Sequence, residues 1–119
     1  MKRVLWVSRH EMTRDQRADL EQALGGPVEL ILWRDTVADA AQLLPALDGA
    51  DAVAAVLPVE LLARLLPLAG ERPVLVAASG REATGQVRTL PDGRQEPEFA
   101  FVHQGWRQIL RLELETRPL

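Results

Sequence analysis

Cysteine is absent from the 119 residues, which removes disulfides, zinc ribbons and thiol catalysis at once. Lysine occurs only as Lys2, against plentiful arginine, a bias read mainly as the mark of a GC-rich genome. An excess of positive charge is also missing, since the formal net charge is -3. Proteins that coat long nucleic acid carry the opposite balance in order to release counterions, so that role is not expected. A small anion held by a few local arginines remains compatible with this charge. Long apolar runs are lacking too. The longest, residues 52–66, is interrupted by Pro58, Glu60 and Arg64, so no segment is expected to span a bilayer. The apolar stretch behind Met1-Lys2-Arg3 is too short for a secretory signal and soon meets Arg9, which makes the cytoplasm the expected location.

Familiar ligand motifs are missing as well. No Gly-x-Gly-x-x-Gly follows the first strand, which argues against a dinucleotide cofactor. There is no phosphate-binding P-loop, no Gly-x-Ser-x-Gly elbow and no flavodoxin-like Ser/Thr-rich phosphate loop. The two histidines, His10 and His103, show neither HxxxH nor HxH spacing, so neither a metal nor another cofactor is expected.

What is present is ordinary globular material: 47% apolar and 26% charged residues, in a length typical of one domain. Arg3-Val4-Leu5-Trp6-Val7-Ser8 reads as a buried strand. Thr13-Arg14-Asp15-Gln16 is a capping box, opening a helix that Gly25-Gly26-Pro27 stops near Leu24. A second strand is expected from Val28 to Trp33. A second helix is expected from Thr36, with Asp39 as part of another box and Pro45 ending or kinking it. Asp51-Ala52-Val53-Ala54-Ala55-Val56-Leu57 has the unbroken apolar character of a central parallel strand. Pro58 suits the first turn of a third helix, from Val59 to about Leu66 and closed by Pro67 and Gly70. Pro73-Val74-Leu75-Val76-Ala77-Ala78 makes a fourth strand.

The alternation β-α-β-α-β-α-β predicts an α/β domain with an open parallel sheet, Rossmann-like, in order 2-1-3-4 with helices on both faces. Residues 1–80 form its core. Residues 81–119 are expected to add an antiparallel hairpin, with a turn at Leu90-Pro91-Asp92-Gly93. One strand would lie before Gly105, and a half-exposed one would carry the strict alternation of Leu110, Leu112 and Leu114 with Arg111, Glu113 and Glu115. The whole reads as a single domain.

In such sheets ligands bind at the carboxyl ends of the strands, beside the point where strand order reverses. Here that point lies between strands 1 and 3. The loop Ser8-Arg9-His10-Glu11-Met12 therefore carries the best candidates. Arg9 offers a bidentate phosphate donor and His10 a proton carrier near neutral pH, while Ser8, Glu11 and Thr13 surround a helix start that favours anions. A second candidate loop is Ser79-Gly80-Arg81-Glu82, where Gly80 allows close backbone approach and Arg81 adds a cation. Trp106 could stack on a base or close the core.

Two stretches add a family resemblance. Val7-Ser8-Arg9-His10-Glu11-Met12-Thr13-Arg14-Asp15-Gln16 resembles the opening of small stand-alone CRISPR-associated proteins of the CARF-like, ring-nuclease type. Those begin with a strand, Ser-His and a Leu-Thr-x-x-Gln helix start; here Arg9 is inserted between Ser8 and His10, and Met12 replaces Leu. The tail is similar in Leu90-Pro91-Asp92-Gly93, Phe101-Val102-His103 and Trp106-Arg107. The resemblance implies a Rossmann-like homodimer that binds cyclic oligoadenylate in antiviral defence. It further implies possible cleavage without metal, by attack of a ribose 2′-hydroxyl on the adjacent phosphate. Under it Ser8 and His10 match the first-loop motif and His103 the late histidine, with Arg9 and Arg81 added from chemistry as stabilisers of phosphate charge. Two other functions fit the residues: a non-enzymatic interaction module that pairs through the alternating C-terminal strand, and a flavodoxin-like enzyme acting on a small phosphorylated substrate.

Overall fold

The computed structural model describes residues 1–113 and 115–119, and the side chains of all of these except Arg81, Glu82 and Phe101. Five strands form one sheet in the order β2-β1-β3-β4-β5: β1 Lys2–Val7, β2 Val28–Trp33, β3 Ala52–Ala55, β4 Val74–Thr89 and β5 Gln95–Gln108. The first four are parallel, in the expected 2-1-3-4 arrangement, and β5 lies antiparallel on β4. Helix α1 spans Arg14–Leu24 and α3 spans Val59–Ala69; between them lie a 3-10 turn, Ala40–Leu43, and the short α2, Leu44–Leu47.

The pleat of β1 explains the two cores. Leu5 and Val7 point into one, with Val53, Val74, Leu43, Leu47, Leu62 and Leu65 from the α2 and α3 side. Val4 and Trp6 point into the other, with Leu20 of α1, Ala52, Ala54 and Leu75, and with Trp106 packed against it. All four residues of β3 are buried, as a strand covered on both faces must be. The connection through α1 steps back to β2 while those through α2 and α3 step forward, so right-handed crossovers put them on opposite faces.

Thr13 caps α1 as its sequence predicts, its hydroxyl accepting from Gln16 N–H at 3.1 Å while the Gln16 side chain accepts from Thr13 N–H at 2.9 Å. Several boundaries differ from expectation. The second helix does not begin at Thr36; Asp39 is the cap, bonded to Ala41 N–H and boxed with Gln42, and only a tight turn and α2 follow. Pro45 sits in the first turn of α2, where its missing N–H costs nothing. Pro67 lies inside α3, which runs on to Ala69.

The larger difference concerns the C-terminal third. β4 does not stop at Ala78; Ser79-Gly80-Arg81-Glu82 is strand, not loop, and continues to Thr89. The turn at Pro91-Asp92-Gly93 reverses the chain, with Leu90 N–H donating to Arg94 O at 2.7 Å, and β5 then supplies partners to the extended β4. Gly105 is not a turn either. It lies inside β5, with φ of 108°, at a register shift opposite Ala77 and Ser79. Residues 109–113 form no strand, because β5 already occupies the free edge of β4. Instead Ile109 and Leu112 pack on the α3-side core, Leu110 is exposed, and Leu114 lies outside the described residues. Among the described residues no helix is long and apolar enough to cross a membrane.

Candidate functional site

The carboxyl edge of the sheet at the switch point carries a cleft of about 300 Å³, formed where the chain leaves β1, β2 and β3. Ser8, Arg9 and His10 line it from the first loop, Asp35, Thr36 and Val37 from the second, and Val56, Leu57 and Pro58 from the third. Its walls are largely apolar, with a few polar groups converging at one side, which is the usual make-up of a small-ligand site.

The first loop is fixed by its own polar groups. Ser8 is buried, and its N–H donates to Trp33 O at 3.1 Å, prolonging the β1–β2 ladder by one bond. The Ser8 hydroxyl accepts from His10 N–H at 3.1 Å. Trp6, one turn of the pleat earlier, donates its indole N–H to His10 O at 2.9 Å. Both backbone groups of His10 are thus held, and its imidazole stands exposed at the mouth of the cleft. The Arg9 guanidinium reaches over to the Thr36 hydroxyl, which joins the first and second loops. Thr36 therefore orients an arginine rather than capping a helix. Glu11 turns away and pairs with Arg34 at 3.7 Å, with both side chains exposed.

The remaining candidates do not join this cleft. Thr13, Ser79 and His103 line a second one of about 380 Å³, with Asp15, Gln16 and Val102; the two clefts share no lining residue. The space left by the absent Gly80 side chain is taken by the Gln104 amide, so that glycine accommodates its own neighbour strand. Arg81 is paired in backbone register with Phe101, and its side chain lies outside the described residues. Trp106 is turned inward: its indole N–H donates to Gln16 O at 2.8 Å.

Asp19 is the residue that sequence reasoning missed at the second cleft. Its Oδ2 lies 2.9 Å from His103 Nε2, close enough for an ion pair though not aligned as a hydrogen bond, and the His103 side chain is only 8% exposed. At the first cleft Asp35 and Thr36 were missed as lining groups. Their position after β2, the neighbour of β1, was the available signal. Asp19 had none, because its encounter with His103 depends on the irregularity at Gly105. Among the described residues no group of three or more His, Cys, Asp and Glu could hold a metal ion.

No family model matches this chain, and neither a curated protein nor a solved structure matches it significantly.

Proposed function

We propose that this protein binds a small anionic nucleotide in the switch-point cleft, and that the ligand is a cyclic oligoadenylate messenger held between two copies of the chain. The observation that carries the reading is the convergence of Ser8, Arg9, His10 and Thr36 on one apolar-walled cleft at the reversal of strand order. Arg9 supplies a fixed cation with a planar donor fork suited to phosphate. Apolar Val37, Val56 and Leu57 supply surface for a base or sugar. A ring of several nucleotides exceeds one cleft of about 300 Å³, so two clefts facing each other would have to share it. The resemblance of the first loop to CRISPR-associated ring-nuclease-type proteins favours adenylate rings within this class. Cleavage would run through His10, the imidazole at the cleft mouth, taking the proton of a ribose 2′-hydroxyl as it attacks the neighbouring phosphate.

Calorimetric titration with cyclic tri-, tetra- and hexa-adenylate tests this, with adenosine monophosphate alongside. Saturable binding of at least one ring, weakened by Arg9→Ala, is the expected result. Absence of binding by every ring rejects the proposal. Binding of the monophosphate alone would favour an enzyme for a small phosphorylated substrate, the other use of the same anion cleft.

A further inference from the structure

The second cleft carries chemistry of its own, independent of any ligand in the first. We propose that Ser79, His103 and Asp19 form a nucleophilic-serine site for small esters, with Ser79 as nucleophile, His103 as its base and Asp19 as the group that positions His103.

The argument begins with the irregularity in the β4–β5 ladder. Ala77 pairs with Trp106, but two residues on, Ser79 pairs with His103 rather than with Gln104. The extra residue in β5 sits beside Gly105, whose φ of 108° is open to glycine at little cost. In a regular strand, residues 103 and 106 would face opposite sides of the sheet. The bulge turns both toward α1. Trp106 meets that helix at Gln16, and His103 meets it at Asp19.

Ser79 and His103 are directly opposed, so their Cβ atoms are about 5 Å apart on one face. Asp19 stands at Nε2, which leaves Nδ1 as the ring nitrogen available to act as base. Nδ1 is buried and has no hydrogen-bond partner, a costly state for a polar atom with no task. Ser79 itself is exposed and lines the same cleft. The His103 ring lies 5.8 Å from the Trp106 ring at 59°, so the indole packs beside it. Beside them the first turn of α1 brings Thr13, Asp15 and Gln16 to the cleft wall, and the first-turn N–H groups of Arg14 and Asp15 have no partner within the helix. They are suited to an oxygen that gains charge.

The step balances within these groups. His103 Nδ1 takes the Ser79 hydroxyl proton as Ser79 Oγ bonds to the ester carbonyl carbon, and the carbonyl π pair moves to oxygen. Collapse breaks the bond to the alkoxy group, which leaves with the proton from His103. Water, deprotonated by the same nitrogen, then attacks acyl-Ser79, releasing the carboxylic acid and restoring the serine.

The test is covalent labelling of the full chain with a fluorophosphonate, read by intact mass and peptide mapping, with p-nitrophenyl acetate turnover measured in parallel. A single adduct on Ser79 is expected, absent in Ser79→Ala and slowed about a hundredfold in His103→Gln. Asp19→Asn should slow labelling, and Asp19→Glu should restore part of it. Because Ser79 is exposed, Ser79→Ala keeps its fold and serves as the reference. No adduct on Ser79 in the folded wild-type protein overturns the proposal, as does labelling unchanged by both His103→Gln and Asp19→Asn.

Discussion

Trp6 and Trp106 meet edge to face, their ring centroids 5.9 Å apart at 81°, and each donates its indole N–H to a main-chain carbonyl, one in the loop after β1 and one in the helix that follows it. Trp6 holds His10 O in the loop; Trp106 holds Gln16 O in the first turn of the helix. One pair of rings contributed by the first and last strands therefore fixes the wall between the two clefts. Offset and edge-on aromatic pairs contribute about 0.5–1.5 kcal/mol beyond their buried area.

Replacing Trp106 with Phe keeps a ring but leaves Gln16 O without its donor. A loss of about 0.5–1.5 kcal/mol is expected, from the part-buried bond that is no longer made. Trp106→Ala should cost about 3–5 kcal/mol, since a cavity is added. Urea denaturation of both variants measures the difference. A Trp6→Phe and Trp106→Phe double-mutant cycle should return a non-zero coupling, because the two rings touch.

Gly105 is the second point on which the arrangement turns. At φ of 108° a side chain is strained, so Gly105→Ala should destabilise by about 1–3 kcal/mol. Its neighbour is the informative one: loss of the bulge would move His103 off the α1 face. In an amide and imidazole NMR comparison, His103 and Asp19 should shift far more than His10. Equal shifts at the two histidines would contradict this role for the bulge.

The parallel core was legible because its signals are local. Thr13 and Gln16 spell a cap, Gly25 and Pro27 end the helix, and Asp51 to Leu57 has the continuous apolar character that only a doubly covered strand requires. Strand order then placed Arg9 and His10 at the switch point. In the C-terminal third the antiparallel hairpin and its Pro91-Asp92-Gly93 turn were legible, but the extent of its strands was misread because their pairing is long-range. The alternation of Leu110 and Leu112 describes a strand only if an edge is free, and whether β5 takes that edge is decided by the turn at Gly93 and the bulge at Gly105. Asp19 illustrates the same limit. On α1 it is one of three acids, with Asp15 and Glu21, and only the re-aimed His103 gives it a partner.

Thr13 closes α1 with a reciprocal box. Thr13→Ala should cost about 1 kcal/mol in thermal or urea unfolding. Asp39→Ala should cost less, because the tight turn it caps is four residues long and continues into an α2 of only four more. The reverse ranking would mean that the second connection contributes more to stability than its length implies.

Arg9 is exposed and spans to Thr36, so removing it should leave folding nearly unchanged while removing the cleft's cation. Charge-assisted hydrogen bonds contribute about 1.5–3 kcal/mol, which corresponds to roughly a 10- to 150-fold loss of affinity for an anionic ligand in Arg9→Ala. Thr36→Val should show a smaller loss, since the cation stays and only its tether goes. The two variants separate charge from positioning. If Arg9 works by charge, affinity in the wild type should fall as salt rises, and that salt dependence should persist in Thr36→Val and flatten in Arg9→Ala. A salt dependence retained in full by Arg9→Ala would place the anion contact elsewhere.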